Sequence, residues 1–378
     1  MNNITTGLMS LGHRVTVLTI FTHKHPLTFS ELPASYSEST NIQGVFVDTE
    51  INLADAFSSL ITRDSYNVSR FFSTDFDIRL TRILRKEKFD VIHLESLFMT
   101  PYIATCRRNS SAKIVLRSHN LEFVIWERIA GGTKNLARRT YIKYLSKKLR
   151  EYELSVLDQV DGIAAISSAD KTKYESLGIS KPIVTIPFGI DLDNYELDEK
   201  TAPELALFHL GSMDWMPNLE AVLWFLDDVW PLVNKAQPNL KLYLAGRQMP
   251  EDLKSRSLPN LEIVGEVENA KSFMRSKAIM VVPLLSASGI RVKIIEGMAL
   301  GKAIVSTSIG GEGIDYTDGV NIQIADTPAQ FVEKIKLLCN SAALLDAQGK
   351  EARKLVEAVF DNRVLSQNLV DFYKFLGQ

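Results

Sequence analysis

Between Ala278 and Gly313 the chain reads AIMVVPLLSASGIRVKIIEGMALGKAIVSTSIGGEG, a pattern that few folds accommodate. An apolar run of strand length (Ala278 to Leu285) leads into a small-residue loop (Ser286 to Gly289). A short helix (Arg291 to Leu300), a glycine stop and a second apolar run (Ala303 to Ser306) follow, each bounded by turn residues. This is the strand, turn, helix, strand unit of an α/β sheet. The small loop lets backbone approach a ligand, and the helix start offers N–H groups and a positive dipole end that suit an anion. Arg291 and Lys293 fall in the first helical turn, where cations oppose the dipole by about 0.3–1 kcal/mol. Two readings fit: a diphosphate site whose oxygens satisfy amides and cations together, or a solvated helix start with Lys293 paired to Glu296. The residues alone leave both open.

The same alternation runs along the whole chain. Strands are expected at Val15–Ile20, Gly44–Asp48, Phe89–Glu95, Lys113–Ser118, Gly162–Ser167 and Ile183–Pro187, with helices between several of them. A charged, strandless run, ELDEKTAPE at Glu196–Glu204, interrupts the pattern. Strands then resume at Ala206–Ser212, Lys241–Gly246, Leu261–Gly265 and Gly319–Ala325, and helices close the chain. Such alternation implies mostly parallel sheets covered on both faces, and 378 residues with 46% hydrophobic content suffice for two domains. The expected division is an N-terminal Rossmann-like domain over 1–197, a C-terminal one over 198–360, and a last helix over 361–378 packing back towards the first. The chain opens on a helix (Asn3–Leu11) with no strand before it, so the first strand of the N-terminal domain is read as missing and the domain as truncated at its start.

Charge and cysteine content narrow the function. A net charge of −2 argues against a nucleic-acid-binding surface over the whole protein, and Cys106 and Cys339, far apart and outside any CxxC, suit a reducing, cytoplasmic setting. No apolar run approaches the roughly 20 residues of a bilayer span. One long helix, Leu136 to Leu157, carries Arg138, Arg139, Lys143, Lys147, Lys148 and Arg150 among Tyr141, Tyr144, Leu145 and Leu149. It reads as a solvated face over a packed sheet or as a peripheral contact at the inner face of a membrane. Nucleotide-binding and hydrolase signatures of the P-loop, GxGxxG and GxSxG types do not occur. THKHP at Thr22–Pro26 has poor zinc geometry, and the pairs Asp75 with Asp77 and Asp191 with Asp193 read as helix surface and linker.

In doubly wound domains ligands sit at the carboxyl ends of the strands. Those ends carry His93 and Glu95, then Arg117, Ser118, His119, Asn120 and Glu122, then Ser167, Ser168 and Asp170. In the second half they carry Gly211, Ser212, Asp214, Arg247, Ser288, Arg291, Lys293, Glu296, Gly310 and Gly311. A histidine beside polar groups after a buried strand, such as His119, can bind a ligand, act as acid or base, or simply cap the strand.

The run SGIRVKIIEGMALGKAIVST followed by GGEGI resembles the nucleotide-sugar site of family 4 glycosyltransferases, retaining enzymes of the GT-B fold. RSHNLE with a downstream REYE, AISSAD, IPFGID and LGSMDWMPNLEAV lie in the family's order, so the likeness covers nearly the whole chain. It implies two Rossmann-like domains facing across a cleft. It also implies transfer of a hexosyl group, with retention and without a metal or other cofactor, from a nucleotide sugar donor to a glycan or lipid-linked acceptor, as in polysaccharide or glycoconjugate biosynthesis. By the resemblance Glu296 hydrogen-bonds the donor ribose, His119 sits near the transferring sugar, and Gly211 and Ser212 face the phosphates. Arg247, Gly289, Ile290, Arg291 and Lys293 complete the donor site. The likeness thereby favours phosphate contact for the two cations.

Three departures stand out. The family's first glutamate of a spaced pair falls on Ser288, which can hydrogen-bond a sugar hydroxyl without offering charge. Backbone amides of Ala287 to Ile290 are then expected to help orient the sugar. The Arg and Lys that many members carry after the first strand of the second domain are absent from Ser212–Asn218, so Arg291 and Lys293 are expected to take over the diphosphate. The missing first strand leads to the expectation of a poorly stable or inactive form. The alternatives are a nucleotide-sugar epimerase on a similar fold and a catalytically silent nucleotide-binding homologue.

Overall fold

A computed structural model describes residues 2–23, 26–49, 66–133, 135–197, 202–286 and 289–378. His25 of the THKHP run, Ala287 and the candidate Ser288 lie outside these residues. The chain forms two compact units, one of Met1–Pro187 with Leu365–Gln378 and one of Phe188–Val364.

In the first unit, β1 (Leu18–Phe21) pairs in parallel with β2 (Gln43–Phe46). A separate four-stranded parallel sheet has the order β3 (Val91–Glu95), β4 (Lys113–Ser118), β5 (Gly162–Ala165), β6 (Ile183–Thr185). β4 and β5 are almost wholly buried, as the unbroken apolar runs require of strands covered on both faces. On one face Leu116, Ile114, Leu149, Leu157 and Tyr174 pack together. On the other, Leu369, Val370, Phe372 and Leu376 of the last helix, Asn362–Gly377, pack with Val115, Ala164 and Ile186. A Cβ on Gly162 would lie 2.7 Å from both Phe372 and Leu376, so glycine is what lets this helix approach β5 so closely.

The second unit holds a six-stranded parallel sheet, β12-β11-β10-β7-β8-β9, formed by β7 (Glu204–Leu210), β8 (Leu242–Ala245), β9 (Leu261–Gly265), β10 (Lys277–Val282), β11 (Ala303–Ser306) and β12 (Gln323–Ile324). The order runs outward from β7 in one direction and from β10 in the other, so the chain reverses between these two neighbours. That is the topological switch point, where open α/β sheets bind ligands. The helix Val292–Ala299 buries Ile294, Ile295 and Met298 in the core shared with Phe208, Ile304 and Phe360. Each such side chain contributes about 1.5–3 kcal/mol. Gly297 brings the helix onto β10, since a Cβ there would lie 2.8 Å from Met280 Sδ.

Several sequence expectations are corrected. The division falls at Pro187/Phe188 instead of 197/198, because Ile190 and Tyr195 bury in the second core and Arg353 donates to the Tyr195 carbonyl at 2.6 Å. For the same reason Asp191 and Asp193 are not a linker: Asp191 caps a short 3-10 turn and Asp193 pairs with Arg363. The strand expected over Gly319–Ala325 shrinks to Gln323–Ile324, because Asp318 accepts from Ile324 N at 2.8 Å and Gly319, at φ +78°, turns the chain back. The helix expected from Arg291 begins at Val292, with Arg291 as its N-cap. The helix Glu122–Gly132 adds to the expected elements.

Candidate functional site

Three loops converge at the switch point. The first leaves β7 at Gly211, whose N–H donates to Ala245 O at 3.1 Å. The second leaves β8 at Gly246, where a Cβ would lie 1.8 Å from Gly211 O, so only glycine permits this approach. Met213 N donates to Arg247 O at 2.9 Å, which joins the two loops again. The third, after β10, leads through Gly289, at φ +82°, into the helix that begins at Val292.

Asn218 ties the first loop to this helix. Its amide donates to Ser212 O at 2.9 Å, and its Oδ1 accepts from Lys293 Nζ at 2.8 Å. Burial and the neighbouring Arg291 charge push the Lys293 ammonium down to about 7. Arg291, 6% exposed, lies over the Trp215 ring at 5.8 Å from its centroid, and burial also lowers its pKa. Two neighbouring cations, both disfavoured by burial, can favour an anion laid beside them. One turn on, Glu296 Oε1 accepts from the Tyr195 hydroxyl at 2.6 Å. His209 lies beneath, 1% exposed, with Nδ1 donating to Val281 O at 3.0 Å. Burial, with the Lys293 charge, pushes this ring down to about 3, so it is neutral.

The first unit gathers its polar residues at the ends of β3 and β4, where the register sets Glu95 beside Arg117. Arg117, 1% exposed, donates to Glu95 at 2.6 Å and to the Pro187 carbonyl at 3.0 Å. His119 Nε2 lies 2.9 Å from Glu95 Oε1. Burial alone would raise the Glu95 carboxyl, but hydrogen bonds from His119 and His93 and the Arg117 charge hold it well below the usual carboxylate range. Downstream, Glu153 accepts from Phe123 N at 3.2 Å and Glu122 N at 3.4 Å, which caps the helix Glu122–Gly132 and fastens RSHNLE to REYE.

Residues 1–194 match the model of Glycosyltransferase Family 4, and residues 204–341 match that of Glycosyl transferases group 1. The chain belongs to glycosyltransferase family 4. A Klebsiella pneumoniae relative, an uncharacterized 44.6 kDa protein in the cps region, is 25% identical over 68% of this chain and 67% of its own. A phosphatidyl-myo-inositol mannosyltransferase of Mycobacterium tuberculosis is 28% identical over 40% of this chain and 41% of its own. Among solved structures, sucrose-phosphate synthase from Thermosynechococcus elongatus superposes with a TM-score of 0.65 at 15% identity, covering 99% of this chain and 91% of that one. Anabaena HepE in complex with UDP gives 0.62 at 10% identity, covering 95% and 100%. These structures establish the fold as two Rossmann-like domains of the GT-B type.

For this glycosyltransferase the structure gathers Gly211, Ser212, Arg291 and Lys293 around Asn218 and Trp215, and brings the exposed Arg247 to them through its backbone. Ile290 packs against Gly313, where a Cβ would lie 2.8 Å from its Cγ1. Glu296 pairs with Tyr195, not with Lys293. Asn218, Tyr195, His209 and Glu153 carry the geometry but were not singled out by sequence. Asn218 and Tyr195 lie in PNLEA and DNYEL, where their neighbours read as helix and linker, and His209 sits inside an apolar strand. Glu153 stands in the quoted REYE, so that signal was in view. The long helix Leu136–Leu157 buries Ile142, Leu149 and Val156 and exposes Leu136, Tyr141 and Tyr144. Among the described residues, no helix is long and apolar enough to cross a membrane.

Proposed function

We propose that this glycosyltransferase moves a hexosyl group, with retention at the anomeric carbon and without a metal, from a nucleoside-diphosphate sugar to a glycan or lipid-linked acceptor in polysaccharide or glycoconjugate biosynthesis. The observation that carries the reading is the bracket Ser212–Asn218–Lys293 with Arg291 beside it, at the switch point of the second unit. A diphosphate laid against it meets two cations and the start of a helix, and the same groups stabilise the charge that develops as the diphosphate departs. Glu296, held by Tyr195, is a carboxylate able to accept from vicinal ribose hydroxyls. His119 takes the place of the family histidine near the transferring sugar, and Ser288 with the neighbouring amides takes that of the missing glutamate.

The UDP in the HepE complex supports a nucleoside diphosphate ligand, and the cps-region and phosphatidyl-myo-inositol descriptions of the relatives support a glycan or lipid-linked acceptor. The basic helix Leu136–Leu157, with exposed Tyr141 and Tyr144, supports peripheral contact with an anionic membrane. Co-sedimentation with phosphatidylglycerol vesicles, and not with phosphatidylcholine vesicles, tests that contact. For the donor site the test is Arg291→Ala, which should weaken nucleotide binding; unchanged affinity would sink the assignment.

A further inference from the structure

Glu95 gathers three donors at the carboxyl end of β3. Arg117 Nη1 lies 2.6 Å from Oε1, His119 Nε2 lies 2.9 Å from the same oxygen, and His93 Nε2 lies 2.9 Å from Oε2. The other nitrogen of His93, Nδ1, lies 2.5 Å from the Tyr373 hydroxyl. An ionised carboxylate only accepts, so with both rings neutral each Nε2 carries its proton. His93 Nδ1 is then an acceptor, and Tyr373 O–H donates to it. The bonds of Tyr373 and His93 to Glu95 are thus mutually consistent.

We infer that Glu95 is the positioning residue for His119, fixing its imidazole as the Nε2–H tautomer with Nδ1 as the acceptor atom, and that Tyr373 and His93 hold Glu95 in place. The inference rests on the proposed role of His119 beside the transferring sugar. A histidine ring has two tautomers and two faces to present, and a carboxylate on one nitrogen selects among them. Glu95 itself cannot swing away easily. Arg117 grips Oε1 and is anchored in turn on the carbonyls of Ile186, at 3.4 Å, and Pro187, at 3.0 Å. Tyr373 is held by the burial of its neighbours Phe372, Val370 and Leu376 against β4 and β5. A tyrosine far along the chain therefore acts on His119 through two intervening side chains.

The test uses the full chain with ¹⁵N-labelled histidine, the His119 signals being assigned by their loss in His119→Asn. In the wild type the neutral His119 ring shows the Nε2–H tautomer. In Glu95→Ala, which removes the oxygen that Arg117 and His119 share, that preference is lost. Turnover with saturating donor is expected to fall roughly ten- to a hundredfold, while nucleotide affinity stays unchanged. Tyr373→Phe, which removes one hydroxyl from a packed ring, gives a smaller shift in the same direction and carries the test if Glu95→Ala does not fold. An unaltered His119 tautomer in the variant that folds overturns the inference. A shifted tautomer with full activity in His119→Asn upholds the positioning and overturns the role of His119 instead.

Discussion

Lys293 donates to Asn218 Oδ1 at 2.8 Å, and Asn218 donates onward to the Ser212 carbonyl at 2.9 Å. One asparagine therefore holds the loop after β7 and the helix after β10 in a fixed relation. Asn218→Ala removes both bonds, and nucleotide affinity should fall by about tenfold, the worth of one to two hydrogen bonds. Isothermal titration of the variant measures this directly.

Burial and Arg291 bring the Lys293 pKa to about 7, so the free site loses this charge as pH rises through neutrality. A bound diphosphate favours the ammonium and raises its pKa. Through Lys293, affinity should be independent of pH well below 7 and decline above it, by at most about tenfold per pH unit. Titrations between pH 7 and 9 in buffers of different ionisation enthalpy should also show proton uptake on binding. Lys293→Met should abolish that uptake.

Tyr195 holds Glu296 Oε1 at 2.6 Å, and burial together with this bond raises the tyrosine pKa well above its ordinary value. The phenol is therefore a fixed donor across the accessible pH range. Tyr195→Phe should weaken nucleotide binding severalfold, roughly 1 kcal/mol, and leave the fold intact. Equilibrium titration alongside thermal melting separates the two effects.

Glu95 and Arg117 are a buried pair. Glu95→Ala leaves the guanidinium, 1% exposed, without its carboxylate, and should destabilise the first unit by about 3–5 kcal/mol. Because the folded pKa of Glu95 lies below the ordinary 4.5, its contribution is full above that pH and fades as pH falls below it. Denaturant unfolding of wild type and variant should converge in acid.

Glu153 behaves in the opposite sense. Burial first, and the nearby Glu122 charge, push its carboxyl up to about 8 despite the N–H groups it accepts from. A carboxyl whose folded pKa exceeds its unfolded one lowers stability as pH rises from about 4.5 to 8. Glu153→Gln keeps an acceptor for the Phe123 N–H without the charge. It should match the wild type near pH 5 and exceed it, by up to a few kcal/mol, at pH 8. Melting curves at the two pH values check the sign.

Much of this was legible in sequence because parallel strands buried on both faces are unbroken apolar runs. Lys113–Ser118, Leu261–Gly265 and Ala303–Ser306 are strands with the bounds their apolar runs imply. The two cations of the proposed donor site are legible as odd charges at a helix start. What holds them is not, since Asn218 lies far along the chain from Lys293 and only the β7 and β10 neighbourhood brings them together. The same holds for Tyr195 with Glu296 and for Tyr373 with His93. Glu95 stood in view at a strand end, but its role depends on the parallel register that sets it beside Arg117.

The most direct test of the donor site is calorimetric titration of UDP, GDP and ADP into the protein and into Glu296→Ala. One of the three is expected to bind, and the substitution to weaken that binding markedly. Equal binding by protein and variant, or no binding of any nucleotide, would contradict it.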